Sequence, residues 1–194
     1  MVNVQNWMND VLNRYIGTQE LIENARIAES LNGRPRYAYH FDGNTLSEYD
    51  RLRKTREWGA MSGRKDYQNS RFQSVRDKGP LPEGQYTFNR RDFQRYEDLG
   101  TFDKLISSLP LGPIKIGPWP NGTYAWGNHR VDLHPNPKNE MYGRTGLTMH
   151  GGGDFGSGGC IDLEKGMDDF YRRVSTHMQD VFPLTVRYDE NSFK

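Results

Sequence analysis

Cysteine is almost missing from this chain: Cys160 is the single one among 194 residues. An internal disulfide framework is therefore excluded. Excess charge is missing too. The 26 basic and 25 acidic side chains leave a formal net charge of +1, so no general attraction to nucleic acid or to an anionic membrane follows. The arginines from Arg51 to Arg76 do cluster, but Glu48, Asp50, Glu57, Asp66 and Asp77 lie among them, which reads as a mixed, solvated surface. Long apolar runs are lacking, so membrane insertion is not expected. The first 31 residues lack the charged start, apolar core and small-residue cleavage site of a secretory signal. The expectation is synthesis in the cytoplasm and, for any work outside it, export by another route.

Apolar residues are also scarce, at 34%, and mean hydropathy is −0.92. Disorder does not follow, because 4 Trp, 11 Tyr and 9 Phe supply large buried areas. The length suits one domain with an added helical segment.

Val4, Trp7, Met8, Val11, Leu12 and Tyr15 keep three-four spacing, as do Leu21, Ile22, Ala25 and Ala28. That predicts an N-terminal helical extension over 1–33, ended by NGRPR. From residue 34 the texture turns to β and defines a second region, 34–194. YAYHF alternates, DGN at 42–44 reads as a hairpin turn, and Leu46 begins the return strand. EWGAMSG at 57–63 reads as a strand, and GPLPEG as a turn before QYTF. Phe102, Leu105, Ile106 and Leu109 predict a short helix. GLTMH reads as a strand. Met167, Phe170, Val174 and Met178 predict a helix that Pro183 stops before the strand LTVRY. The fold class is α+β, a mostly antiparallel β domain with helices at both ends.

The most informative stretch is LTMHGGGDFGSGGCIDL at 147–163. Gly151, Gly153 and Gly156 fit G-x-G-x-x-G, but no βαβ unit surrounds them, which argues against a phosphate cradle. A flexible hairpin beside an inert buried cysteine is a second reading. A catalytic loop is the third and best. A thiol needs a base to ionise near neutral pH, and glycines let the backbone approach a substrate closely. His150 ends the preceding strand, a position from which it is expected to face Cys160 across the loop. The amides of Gly159 and Cys160 are candidate oxyanion donors, with Gly158, Ser157 and Gly151 shaping the loop. Cys160 is expected to be an accessible thiol of low pKa.

This arrangement resembles the L,D-transpeptidases, whose YkuD-like domain carries His-Gly, a short loop, then Ser-His-Gly-Cys and an apolar residue. Here the chain reads His150-Gly151, then Ser157-Gly158-Gly159-Cys160-Ile161. The likeness covers about residues 37–188. It is closest to a short-loop branch of peptidoglycan-targeting toxins of type VI secretion systems, with histidine ten positions before cysteine. That branch also has a segment like Ser62-Gly63 before the GP-P-G turn. Two departures stand out: Gly158 replaces the usual histidine, and Asp162-Leu163-Glu164 replaces the usual Asn and Arg.

The resemblance implies a Cys160 nucleophile with His150 as base, acting on tetrapeptide stems of peptidoglycan by L,D-carboxypeptidase, exchange or transpeptidase chemistry. The departures favour hydrolysis or exchange over cross-linking. It further implies action in the periplasm of a target cell, a secretion-machine carrier and a periplasmic immunity protein. No cofactor and no metal are expected, since His40, His129 and His177 show no ligand spacing with Cys160. Arg144 is a candidate for the terminal carboxylate of the stem, or else a surface arginine. His134, at the end of VDLH, either orients substrate or is structural. Trp58, Trp119 and Trp126 line a groove or fill the core. The alternatives are another cysteine peptidase or amidase of the cell wall, and a non-catalytic wall-binding or phage-structural module. A papain-like or NlpC-like order places cysteine before histidine, the reverse of this chain.

Overall fold

The computed structural model describes residues 35–108, 117–153 and 156–188. The expected N-terminal helical extension, 1–33, lies outside the described residues.

Two sheets carry the fold. The larger has six strands. The hairpin β1 (Tyr37–Phe41) and β2 (Thr45–Asp50) turns at DGN, where the Asp42 carboxylate accepts from the amides of Asn44 and Thr45 at 2.9 and 2.7 Å. The third strand, β3, spans Arg53–Gly59 and pairs with β2. The chain then runs through GPLPEG into β4 (Gly84–Asn89). Two-residue strands follow at β5 (Gln94–Arg95) and, later, β7 (His134–Pro135), with β6 (His129–Asp132) between them. Strands β8 (Thr148–His150) and β9 (Ile161–Asp162) flank the glycine loop, and β10 (Val181–Val186) closes the large sheet. Its order is β3-β2-β1-β10-β4-β7; the small sheet runs β5-β6-β8-β9. Among the described residues only β1–β10 and β8–β9 pair in parallel, so the sheets are mostly antiparallel, as the alternation implies.

The scarce apolar content is concentrated in rings. Tyr39, Phe88, Phe170 and Phe182 are buried, with Phe170 5.2 Å from Trp58 and 5.5 Å from Tyr39, centroid to centroid. Phe170 lies on a helix at Met167–Ser175, whose buried residues Met167, Phe170 and Val174 repeat at helical spacing. Truncating such a ring costs about 3–5 kcal/mol.

Three local expectations need correction. The strand expected at 57–63 begins earlier, at Arg53; Met61 makes only an isolated bridge to Asp162. The helix after the glycine loop ends at Ser175, so Met178 is not part of its apolar stripe and is 97% exposed. Pro183 does not stop that helix but sits inside β10 opposite Thr87. The β1 register starts only at Leu184, so at Pro183 the strand is locally an edge, where proline is tolerated. The short helix expected near Phe102 forms at Thr101–Ser107, with Phe102 and Leu105 exposed.

One buried polar knot ties the large sheet to the Met167–Ser175 helix. Glu48 is fully buried and accepts from Tyr39 Oη (2.9 Å), Thr55 Oγ1 (2.7 Å), Arg173 Nη2 (2.8 Å) and His177 Nε2 (2.9 Å). Burial works against its charge, but these donors hold the carboxyl down at about 2. Nearby on β1, His40 is buried with Nε2 unpartnered among the described residues, and burial pushes it down to about 4. Burial lowers His177 as well. A lowered histidine is neutral in the fold and protonates more readily when unfolded, so stability is lost as pH falls. Denaturant midpoints should therefore drop as pH falls from 6.5 towards 4, with His40 alone contributing about 3 kcal/mol. His40→Gln should flatten that slope; an unchanged slope would contradict the account.

Candidate active site

The strand β8 explains the site. Its centre, Met149, is fully buried, so Thr148 and His150 share the opposite face. Parallel pairing with β9 aligns Met149 with Ile161 and His150 with Asp162. Extended back by one residue, that register sets Cys160 beside Thr148. Thr148, His150, Cys160 and Asp162 thus lie on one face.

His150 is buried and held from both sides. Its Nδ1 donates to the Gly151 carbonyl at 2.7 Å, which fixes the tautomer and leaves Nε2 to accept from Ser157 Oγ at 3.0 Å. Thr148 Oγ1 lies 3.4 Å from Cys160 Sγ and donates to it. The Trp126 ring packs 4.9 Å from the imidazole. Burial alone disfavours the thiolate, but the hydrogen bond and charge of His150, helped by Thr148, hold the Cys160 thiol down at about 7. Burial likewise opposes the imidazolium, yet Cys160, the Gly151 carbonyl and Asp162 raise His150 above its ordinary value. The pair is therefore poised to share one proton.

Cys160 is only 7% exposed, less than an open thiol would be. What reaches it is a cavity of about 630 Å³ that both Cys160 and His150 line. Pro120, Ala125 and Trp126 also line it, as do the charged residues Arg64, Lys65 and Asp77.

Glycines let backbone segments close on this site. Gly152 has φ +126°, and a Cβ there would lie 2.6 Å from the Ala125 carbonyl oxygen. A Cβ on Gly158 would lie 2.3 Å from the Asp77 carbonyl oxygen. The backbone at 77–78 thus occupies the space a side chain at 158 needs, which accounts for glycine where the resemblance leads one to expect histidine.

The two expected substrate-binding residues stand elsewhere. Arg144 does not line the cavity. Its Nη1 donates to the carbonyls of Gly79 (3.1 Å) and Pro80 (2.6 Å), and its Nη2 to those of Gln73 (2.5 Å) and Val75 (2.7 Å). Four carbonyls occupy both terminal nitrogens, and the remaining Nε is buried outside the cavity lining, so the side chain presents no fork to a substrate carboxylate. Arg144 is a buried clamp on the 73–80 segment. His134 is exposed on β7, 3.3 Å from Asp92, away from the cavity. The Gly159 amide, an expected oxyanion donor, points to the Ser157 carbonyl at 2.8 Å, which leaves the Cys160 amide as the loop's candidate. Trp58 and Trp119 are core; Trp126 alone of the three lines the cavity. Sequence reasoning passed over Thr148 and Asp162, although each sits two positions from His150 or Cys160 on a strand and so shares its face.

Alkylation of Cys160 by iodoacetamide should rise with pH about a midpoint near 7. In His150→Ala the midpoint should move upward, because the partner that holds the thiol down is gone. Identical profiles for the two proteins would show that the thiol and the imidazole are uncoupled.

A family model described as the Tlde1 domain matches residues 56–183, which takes in Arg64, Asp77, His150 and Cys160. Among solved structures the chain is similar to Bdellovibrio bacteriovorus Bd1075, at 15% identity and TM-score 0.46, covering 80% of this chain and 51% of that one. It is also similar to the Ldtfm–avibactam carbamoyl enzyme, at 16% identity and TM-score 0.41, covering 80% and 50%. A third is an L,D-transpeptidase from Mycobacterium smegmatis, at 15% identity and TM-score 0.37, covering 78% and 58%. The chain spans a little over half the length, at most, of these solved chains. A search of curated proteins finds no significant match. With its model matched over well over half of the sequence, the chain belongs to the Tlde1 domain family, a family of type VI secretion L,D-transpeptidase effectors.

Proposed function

We propose that this protein is a cysteine-dependent L,D-carboxypeptidase and transpeptidase of peptidoglycan tetrapeptide stems, delivered as an antibacterial effector. Family membership supports the coarse class, a transpeptidase-like modifier of peptidoglycan. The observation that carries the finer reading is the coupled Cys160–His150 pair in the wall of a cavity. Such a pairing of thiol and imidazole in a cavity wall is the arrangement a cysteine nucleophile requires.

In the proposed reaction Cys160 yields its proton to His150 Nε2. The thiolate attacks the carbonyl carbon joining the third stem residue to the terminal D-Ala, and the carbonyl electrons move to oxygen. The Cys160 amide faces that oxyanion. Collapse breaks the C–N bond, and the departing D-Ala amine takes the proton from His150, leaving a thioester on Cys160. Water then attacks with His150 as base, and the thiolate leaves with the shortened stem released. A free D-amino acid in place of water gives exchange; a second stem's amine gives a cross-link. Ser157, bonded to Nε2, keeps the imidazole aimed between attacks.

As an effector the protein would meet this substrate in the periplasm of a target bacterium, brought there by a secretion-machine carrier. The producing cell would then hold a periplasmic immunity protein that covers the Cys160 cavity.

Incubation with disaccharide-tetrapeptide should release one D-Ala, read by mass spectrometry. Cys160→Ala should abolish the release while folding normally, and His150→Ala should slow it by about 10²–10⁴-fold. Cleavage at the sugar–lactyl amide would instead identify an amidase. Expression with an added signal sequence should be toxic and expression without one harmless; toxicity that persists in Cys160→Ala would refute the effector reading.

A further inference from the structure

The small sheet lines up two rows of side chains on the face that carries the site. Strand pairing sets Gln94 opposite Arg130, Arg130 opposite His150, and His150 opposite Asp162. Asp132 and Thr148 are opposite each other in the next row, which the same register continues to Cys160. Arg130 therefore leaves the sheet on the same face as the imidazole, from the adjacent strand, with the two Cβ atoms about 5 Å apart. No step of the cysteine chemistry above uses this cation.

The guanidinium is half-buried and lies over two indoles, 4.3 Å from the centre of the Trp119 ring and 5.0 Å from that of Trp126. Both rings are fixed by their own N–H groups. Trp119 Nε1 donates to the Gly127 carbonyl at 3.0 Å, and Trp126 Nε1 to the Pro120 carbonyl at 2.8 Å. Arg130 Nε and Nη2 both donate to one neutral acceptor, Gln94 Oε1, at 2.8 and 2.6 Å. Gln94 Nε2 in turn donates to Asp132 Oδ2 at 3.4 Å, so an amide stands between that carboxylate and the guanidinium. Among the described residues Arg130 makes no ion pair. The His150 imidazole rests on the same Trp126 ring at 4.9 Å, which puts the two groups within about 10 Å of each other. Burial pulls the guanidinium below its ordinary value, while Asp132 and the Cys160 thiolate oppose that.

Resting on the Cys160–His150 chemistry proposed above, we propose that Arg130 is a positioning residue whose fixed, unpaired charge drives the Cys160–His150 pair to give up its proton near neutral pH. The sign does not depend on which partner stands closer. A nearby cation favours thiolate over thiol and neutral imidazole over imidazolium, so it eases every loss of a proton from the pair. The stacking on Trp119 and Trp126 and the fork to Gln94 hold the charge in place without a carboxylate to cancel it. The other charged groups around the pair are Asp162 on β9, Asp132 in the neighbouring row, and Arg64, Lys65 and Asp77 in the cavity lining. The two aspartates of the sheet favour the protonated pair, and Arg130 is the cation of the sheet rows that offsets them.

The test follows iodoacetamide alkylation of Cys160 against pH in the whole chain, for wild type, R130M, R130Q and R130K. Alkylation needs no stem peptide, so its result is independent of which bond the enzyme cuts. R130M and R130Q should both move the midpoint upward by about half to one pH unit, the effect of one charge at this range. At pH 6 they should alkylate about three- to tenfold more slowly than wild type, and at pH 9 the rates should converge. R130K keeps a cation over the indoles and should hold the wild-type midpoint. R130Q keeps a polar side chain beside Gln94 and serves as the neutral variant if R130M fails to fold. A wild-type midpoint in the neutral variants, or a loss of rate equal at every pH, would overturn the proposal and leave the Cys160–His150 pair intact. An R130K midpoint displaced as far as that of R130M would also overturn it, since shape and not charge would then be at work. A wild-type thiol that titrates as an ordinary cysteine would overturn the pair itself, and this proposal with it.

Discussion

Everything at the site depends on a two-residue parallel pairing. Because His150 aligns with Asp162 and Met149 with Ile161, residues that lie ten positions apart in the chain come to share one face. A slip of one residue would turn Cys160 away from His150 and toward the core, since side chains alternate along a strand. The pairing is short, so the surroundings fix it. Met149 and Ile161 are fully buried on the core side. The Leu163 amide donates to the His150 carbonyl at 2.8 Å, and Met61 and Asp162 exchange two further backbone bonds at 2.9 and 2.8 Å. The glycine loop between the strands then closes without side chains in the way.

That placement sets up an electrostatic contest. Burial raises a thiol and lowers an imidazole, so each group alone would be neutral in this pocket. Coupling reverses both shifts: the thiol is held at about 7, and the imidazole lies above its ordinary value. The low dielectric that penalises each charge also strengthens their attraction and the bond to Thr148.

The meeting of His150 and Cys160 in one cavity was legible in the sequence because it is local. The strand ending at His150, the glycine run and Cys160 all fall within 147–163, where spacing alone suggests a facing pair. Alternation in YAYHF and QYTF likewise marked real strands, and Phe170 and Val174 marked a real helix face. Long-range packing was not legible. Arg144 looks like a free cation from its neighbours, yet its partners are carbonyls 64–71 positions away. Gly158 looks like a lost histidine until the Asp77 backbone is seen against it. Pro183 reads as a helix stop because nothing in the sequence says where β1 begins to pair with β10.

The central claim is that Cys160, charged by His150, forms a covalent acyl intermediate. Intact-protein mass spectrometry after rapid quenching with a tetrapeptide stem tests it most directly. The account predicts a transient adduct whose mass is that of the stem acyl group without its terminal D-Ala, mapped to the peptide containing Cys160 and absent from Cys160→Ala. Stem turnover with no such adduct, or an adduct mapped to any other residue, would contradict it.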